Sequence, residues 1–401
     1  MTARPFRHVS LGRSVAFEAL LDVQRGAYAS DTLRARTQLL DPRDAGLASQ
    51  IVFGTLRHRA QLDYLIQHYS GKTPRKLDRE VREALRIGIF QLRYLERLPS
   101  HAVVHESVEL VKATKRSASG FANAVLRKVT REAVEWPDRE TELSCPGWLL
   151  DRWSAHFGDA LAQGIAVAAL APPQPYVRIA PGSSVPPNLI VERTDVPGCY
   201  RLCSPPDPTV PLHDISSQSI LPLLDLQPRQ TYLDVCSAPG NKTRQALETP
   251  LSLAVACDIS HKRLRASALP CASVVLDGRR SLPFSSKFDR IFIDAPCSGT
   301  GTIGRNPEIK WRVQPTEFAR FGQDQFELLS RAMPLLAPGG KLLYATCSLE
   351  QEENEDVIRR FCAATPNVRL EREAWRIPGR EEGDGFYAAL LSRTEEAHAA
   401  G

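Results

Sequence analysis

Residues 231–246 read TYLDVCSAPGNKTRQA. A short β-rich run, TYLDVC, passes through the small residues Ser237, Ala238, Pro239 and Gly240 into a helical stretch opening at Asn241 and Lys242. Small residues at a strand-to-helix turn let a ligand approach the backbone closely. Working outward, the same alternation recurs. Further β-rich runs lie at LSLAVACD (251–258), ASVVLD (272–277), RIFIDAP (290–296) and KLLYATC (341–347), with helix candidates at 241–248, 260–268, 317–336 and 350–363. Strands alternating with helices build right-handed βαβ units and a mostly parallel sheet covered on both faces. The stretch from Asp214 onward is therefore expected to be a doubly wound, Rossmann-like α/β domain.

In such a sheet ligands bind beyond the carboxyl ends of the strands. The runs end at Cys236, Asp258, Asp277, at Asp294 followed by Pro296 and Cys297, and at Thr346 with Cys347. One aspartate at a strand end is often a helix cap. Three at successive strands, together with cysteines, exceed what capping needs. Asp258 follows Gly240 by 18 residues, near the roughly 20 at which an acidic side chain meets ribose hydroxyls in nucleoside-binding units. The loop has neither GxGxxG nor GxxxxGK[ST], so neither a dinucleotide nor a nucleoside triphosphate is its natural occupant. Carboxylates at one sheet edge favour a small cationic, adenosine-containing cofactor over a pyrophosphate.

The first half differs. From Val15 to Glu135 apolar residues recur at helical spacing, as in Phe17, Leu20 and Leu21, with Pro74 and Pro99 as internal breaks. An all-helical bundle is expected over 1–145. Residues 1–145 hold 24 basic and 17 acidic side chains, net +7, leaving net −2 for the rest of a chain whose total is +5. The front is the better candidate for a polyanion surface, although arginines such as Arg34, Arg36, Arg57 and Arg59 equally suit a solvated helix face. His101 and His105, four apart, read as packing or RNA-facing residues rather than metal ligands. Eleven prolines between Pro172 and Pro211 break up long helices, so 146–213 is expected to be an apolar helical lead followed by a small irregular or β-containing connector. The remainder, 214–401, is the α/β domain.

Composition, with 43% hydrophobic and 24% charged residues over 401 positions, excludes wholesale disorder and collagen-like repeats. No apolar run of about 18 residues exists to span a bilayer, and MTARPFRHVS lacks an apolar signal core, so a cytoplasmic location is expected. Nine cysteines, never in CxxC pairs, read as reduced thiols with no metal site.

Three segments carry a family resemblance: LDVCSAPGNKT (233–243), IDAPCSGTGTIGRNPEIKW (293–311) and LLYATCSLEQEENEDVI (342–358) look like the motifs of RNA cytosine-5 methyltransferases. IVFGTLRHRAQLDYLI (51–66), ALRIGIFQLRYLERLP (84–99) and ASGFANAVLRKV (118–129) resemble the NusB-like domain fused to the RsmB/Sun ribosomal RNA methyltransferases. The resemblance implies transfer of a methyl group from S-adenosylmethionine to C5 of a cytidine in small-subunit ribosomal RNA. By analogy Cys347 is the nucleophile that adds to C6, and Cys297 assists its release. The cofactor residues carried over are Cys236, Ser237, Ala238, Pro239, Gly240, Asn241, Lys242, Asp258 toward the ribose, Arg263, Asp277 toward the adenine and Asp294 toward the methionine or target base. Asp214 and Gln218 border the pocket. Asn241 and Ser237 depart from the family's glycine and alanine, and Asn is the residue after glycine most tolerant of positive φ. A reactive cysteine needs a nearby cation or helix N-terminus, and the resemblance offers Lys310, Arg305 and the helix near Glu350. The expected partner is small-subunit ribosomal RNA, with no membrane, no metal and a monomeric enzyme. A non-catalytic RNA-binding or antitermination factor and a methyltransferase acting on transfer RNA or another base are the competing classes.

Overall fold

Asp41 and Pro42 open a helix as a sequence signal should: the Asp41 carboxylate accepts the Asp44 N–H at 2.9 Å, and Pro42 occupies the first turn, where its missing N–H costs nothing. This helix, Pro42–Arg57, belongs to the first of two compact units. The computed structural model describes residues 6, 8–207 and 210–393. The first unit comprises the described part of Met1–Pro172 with Ile303–Arg312; the second comprises Pro173–Thr302 with the described part of Val313–Gly401.

The first unit is helical. Leu11–Gln24, Ala29–Thr37, Pro42–Arg57, Arg59–Ser70, Arg79–Tyr94, Ser100–Lys115 and Ser119–Arg127 share a core that includes Phe17, Leu20, Ile51, Leu65, Leu85, Ile89 and Val111. The apolar spacing seen in the sequence thus faces inward. Gly54 permits close approach of two of these helices: a Cβ there would lie 1.9 Å from Phe90 Cζ. Ile303–Arg312 is tied to the end of Pro42–Arg57, whose last carbonyls lack intrahelical donors. Trp311 Nε1 donates to Leu56 O at 2.7 Å, Lys310 Nζ to Arg57 O at 2.9 Å, and Arg57 Nη2 to Gly304 O at 2.9 Å. The expected connector, 146–213, contributes Gly147–Phe157 and Asp159–Ala168 to this unit.

Its later part gives the second unit a small antiparallel sheet, β1 (Tyr176–Arg178), β2 (Val191–Arg193) and β3 (Cys199–Leu202), in the order β1-β3-β2. The five sequence runs then form five parallel strands: β4 (Thr231–Asp234), β5 (Leu253–Asp258), β6 (Ala272–Val275), β7 (Phe288–Asp294) and β8 (Leu336–Thr346). Two antiparallel strands that the sequence reading does not anticipate, β9 (Val368–Arg376) and β10 (Phe386–Arg393), complete a seven-stranded sheet ordered β6-β5-β4-β7-β8-β10-β9. Successive residues serve opposite faces: Leu233, Ile291, Ile293 and Tyr344 enter one core, Tyr232, Phe292, Leu343 and Ala345 the other. The helices between strands are Asn241–Ala246, His261–Ser267, Pro315–Ala332 and Glu355–Ala364. Among the described residues no helix is long and apolar enough to cross a membrane.

Gly54→Val should force Phe90 out of its place and lower the stability of the helical unit by about 2 kcal/mol or more. Thermal melts followed by far-UV circular dichroism would check this, and an unchanged melt would show that the interhelical space can expand.

Candidate active site

Strand order reverses beside β4, with β5 on one side and β7 on the other. In an open α/β sheet this is where the crevice for a ligand forms. Asp234 closes β4 beneath the following loop. Its Oδ2 accepts Thr243 Oγ1 at 2.6 Å and its Oδ1 the Cys236 N–H at 3.3 Å. Burial pushes its carboxyl up to about 7.

The loop from Cys236 to Lys242 is stapled to the end of β5. Ser237 N donates to Cys257 O at 2.7 Å, Ala238 N to Asp258 Oδ2 at 3.1 Å, and Arg263 Nη2 to Ala238 O at 2.5 Å. Asp258 Oδ1 also accepts Ser260 N at 2.8 Å, so each carboxylate oxygen takes one backbone N–H and keeps lone pairs for a ligand hydroxyl. Pro239 follows in a cis peptide bond. Gly240 takes the left-handed turn at φ +99°, where a Cβ would meet Leu269 and Ser267. Asn241 therefore does not need positive φ; it is the first residue of the helix Asn241–Ala246. Burial pushes the Cys236 thiol well above its ordinary value.

Asp277, just past β6, is gripped by Arg279 through Nε and Nη2, each at 3.0 Å, and this pairing holds its carboxyl below the usual range. Arg279 Nη1 reaches on to Asp324 Oδ1 at 3.0 Å. The sequence reading does not single out Arg279; its position two residues after Asp277 is the only local signal.

β7 and β8 are parallel neighbours with Asp294 opposite Ala345. The turns that follow, Pro296-Cys297-Ser298 and Thr346-Cys347-Ser348, are thereby brought together, and Cys297 Sγ lies 3.3 Å from Cys347 Sγ. Both are free thiols. The Cys347 thiol beside it, with burial, pushes Cys297 well up. Glu353, which the sequence reading does not pick out, clamps both turns. It accepts Ser298 N at 2.8 Å, Ser298 Oγ at 2.5 Å, Ser348 Oγ at 2.7 Å and Gln325 Nε2 at 3.2 Å, and it is fully buried. Burial raises its carboxyl above the ordinary value.

Lys242 supplies the cation here. Its Nζ donates to Asp294 Oδ2 at 2.7 Å and stands 4.8 Å from the Phe386 ring centroid. Burial alone would pull its pKa down, but Asp294 outweighs this with help from Cys347 and Asp234, and the amine is held charged. Lys310 does not play that part. It is buried in the helical unit on Arg57 O, and burial lowers it to about 8; Arg305 lies in the same Ile303–Arg312 segment. The expected helix near Glu350 begins as a 3-10 turn, Gln351–Glu353, and becomes α-helical only at Glu355. Asp214 caps Ile215–Ile220 and accepts Asp384 N at 3.2 Å, while Gln218 donates to His213 O at 2.7 Å.

A doubly wound sheet with carboxylates at its switch point, following a helical bundle, defines a Rossmann-like methyltransferase with a NusB-like domain. Known proteins agree. Residues 221–392 match the family described as 16S rRNA methyltransferase RsmB/F, and residues 11–131 match the NusB family. Ribosomal RNA small subunit methyltransferase B of Klebsiella pneumoniae subsp. pneumoniae is 32% identical over 95% of this chain and 98% of its own. The probable ribosomal RNA small subunit methyltransferase B of Bacillus subtilis is 30% identical over 88% and 89%. The solved structure of the protein PH0851 superposes with a TM-score of 0.79 at 22% identity, covering 98% of this chain and 100% of that one. The chain belongs to the RsmB/F family and is an S-adenosylmethionine-dependent methyltransferase.

The residues present suit that cofactor. Ser237 Oγ is buried with no hydrogen-bond partner among the described residues, so a polar ligand atom would satisfy it. Asp258 has acceptor capacity for ribose hydroxyls, and the buried acidic groups at the strand ends suit a sulfonium cation.

Two outcomes are expected of this site. Glu353→Ala leaves the Ser298 N–H without its acceptor, while the Ser298 and Ser348 hydroxyls still face each other at 3.0 Å, and should cost about 1–3 kcal/mol, read as a lower melting temperature. The Asp234 carboxyl has a folded pKa near 7, above an unfolded value of about 3.9. Its contribution to stability is complete below about pH 4 and is lost as pH rises through 7. The stability of Asp234→Asn relative to wild type should therefore rise across that window in denaturant titrations; a pH-independent difference would refute the shift.

Proposed function

We propose that this enzyme methylates carbon 5 of a cytidine in small-subunit ribosomal RNA through a covalent adduct between Cys347 and C6. The observation that carries the reading is the 3.3 Å juxtaposition of Cys297 and Cys347 at adjacent strand ends. Methyltransfer to an exocyclic amine has no need of a thiol nucleophile, whereas C5 of cytosine is a poor nucleophile until a thiolate adds at C6 and places electron density at C5. S-adenosylmethionine, when bound, supplies the electrophilic methyl group. Cys347 forms the S–C6 bond; after methylation Cys297 assists as the C5 proton passes to water, the C5–H electron pair re-forms the C5–C6 double bond and the C6–S pair leaves on Cys347 as thiolate, which restores the aromatic base. The Lys242 amine, held charged by Asp294, places a cation at this end of the sheet.

Cys236, Ser237, Ala238, Pro239, Gly240, Asn241 and Lys242 would line the cofactor, with Asp258 on the ribose, Arg263 holding the loop by the Ala238 carbonyl, Asp277 on the adenine side and Asp294 toward the methionine and target base. A subset of the basic residues of 1–145 holds RNA phosphates, which position a substrate without specifying it, and the target cytidine is extruded into the site. The names of the Klebsiella and Bacillus relatives support ribosomal RNA as substrate. The enzyme acts as a cytoplasmic monomer.

The test mixes wild type, Cys347→Ala and Cys297→Ala with protein-free small-subunit ribosomal RNA and methyl-labelled S-adenosylmethionine. Wild type should yield labelled 5-methylcytidine, Cys347→Ala should lose at least about a thousand-fold in rate, and Cys297→Ala should leave a protein–RNA adduct on a denaturing gel. Labelled 5-methylcytidine produced at the wild-type rate by Cys347→Ala would remove the covalent reading.

A further inference from the structure

The helical unit contains a cavity of about 600 Å³ whose wall includes Arg59, Tyr64, Arg75, Arg82, Arg86 and Trp311. Its charge is unbalanced. Arg86 is fully committed, to both oxygens of Asp63 at 2.7 Å and to Glu83. Asp138, another wall residue, caps its own helix by accepting Thr141 N at 2.7 Å. Three arginines remain. Arg59 hydrogen-bonds to no described residue; its guanidinium lies 5.2 Å from the Trp311 ring centroid. Arg82 reaches Glu83 only at 3.8 Å, and its Nε is buried with no hydrogen-bond partner among the described residues. Arg75 is exposed at the rim. Burial lowers Arg59 to about 10, which still leaves it cationic at neutral pH. Desolvated guanidinium groups without an acceptor are costly in a folded protein. An anion brought into the cavity would satisfy them.

The wall also discriminates among anions. Tyr64 and Trp311 present aromatic rings beside the arginines, and cations interleaved with aromatics suit a nucleotide, phosphate on guanidinium and base on ring. Stacking on these rings needs a base free of its partner strand, so the site suits an unpaired nucleotide rather than one held in a duplex. Trp311 is held there by its bond to Leu56 O at 2.7 Å, and it stands 14 residues beyond Cys297 in the chain.

We infer that this cavity is a binding site for an unpaired RNA nucleotide, with Arg59, Arg75 and Arg82 receiving its phosphate between Tyr64 and Trp311. The inference rests on the proposal that the substrate is RNA, and it names the place where the helical unit holds that RNA. The cavity is built from residues of the helical unit and the cofactor loop from residues of the α/β unit, so loss of the cavity should affect capture of RNA and leave cofactor affinity unchanged.

Full-length wild type, Arg59→Gln, Arg75→Gln and Arg43→Gln would be titrated with protein-free small-subunit ribosomal RNA at several salt concentrations. Arg43 is exposed and is not a wall residue of the cavity, so it controls for net charge. Arg59→Gln and Arg75→Gln should each weaken binding by about ten-fold and reduce the slope of log affinity against log salt by about 0.7 to 1. Their KM for RNA should rise while the KM for S-adenosylmethionine stays fixed, and Arg43→Gln should behave as wild type. If Arg59→Gln fails to fold, the exposed Arg75 decides. Variants equal to wild type, or Arg43→Gln as weak as Arg75→Gln, would overturn the cavity assignment and leave RNA as substrate intact. Wild-type protein that binds no RNA would overturn both.

Discussion

One buried carboxylate fixes the geometry on which the second unit's chemistry depends. Glu353 accepts hydrogen bonds from Ser298 and Ser348, the residues immediately after Cys297 and Cys347, and from Gln325 on the helix Pro315–Ala332. Two turns from different strands are thereby held to one acceptor, and the thiols they carry meet at 3.3 Å. Neighbouring bonds extend the clamp. Gly301 N donates to Cys347 O at 2.9 Å, Leu349 N to Thr300 Oγ1 at 2.9 Å, and Asn354 Nδ2 to Ser348 O at 2.9 Å. Polar networks of this kind rigidify when every member is satisfied, because each unpaired buried group is costly.

Around that clamp the strand-end charges are graded by burial and pairing. Asp234, wholly buried, is pushed toward the neutral form; Asp277, more exposed and gripped by Arg279, is held ionised. Asp294 keeps Lys242 charged against the desolvation that would otherwise discharge it. The same sheet edge thus offers a neutralisable acid under the loop, carboxylate acceptors along it and, in Lys242, a buried cation held by Asp294, a distribution suited to a cationic methyl donor.

Much of this is legible in the residues. The five parallel strands appear as β-rich runs ended by Asp or Cys; Asp258 and Gly240 are found by their spacing, and the cysteines by the Pro-Cys-Ser and Thr-Cys-Ser elements that hold them. β9 escapes notice because EREAWR within it is largely exposed and polar, and a strand at a sheet edge has no need of a continuous apolar pattern; β10 lies inside the sheet and is buried from Phe386 to Leu391, a short apolar run that periodicity alone does not assign to strand or helix. Glu353 escapes because it sits in the acidic string EQEENED, where nothing local distinguishes the one carboxylate that is buried from its solvated neighbours. The expectation that Lys310 would charge the cysteine site fails for a related reason. Closeness in sequence to Cys297 does not reveal that Ile303–Arg312 leaves the α/β unit to cap the helix Pro42–Arg57.

The sequence by itself determined the alternation of strand and helix, the helical periodicity of the first 130 or so residues, the turn of small residues after the first parallel strand and the set of reactive residues at strand ends, since these follow from local sterics and from which side chains prefer burial. Only the tertiary structure decided which of several lysines faces the cysteines, which carboxylate clamps their turns, and which arginines are left without an acceptor. Those outcomes depend on desolvation and on partners far apart in the chain, and neither is encoded in any window of neighbouring residues.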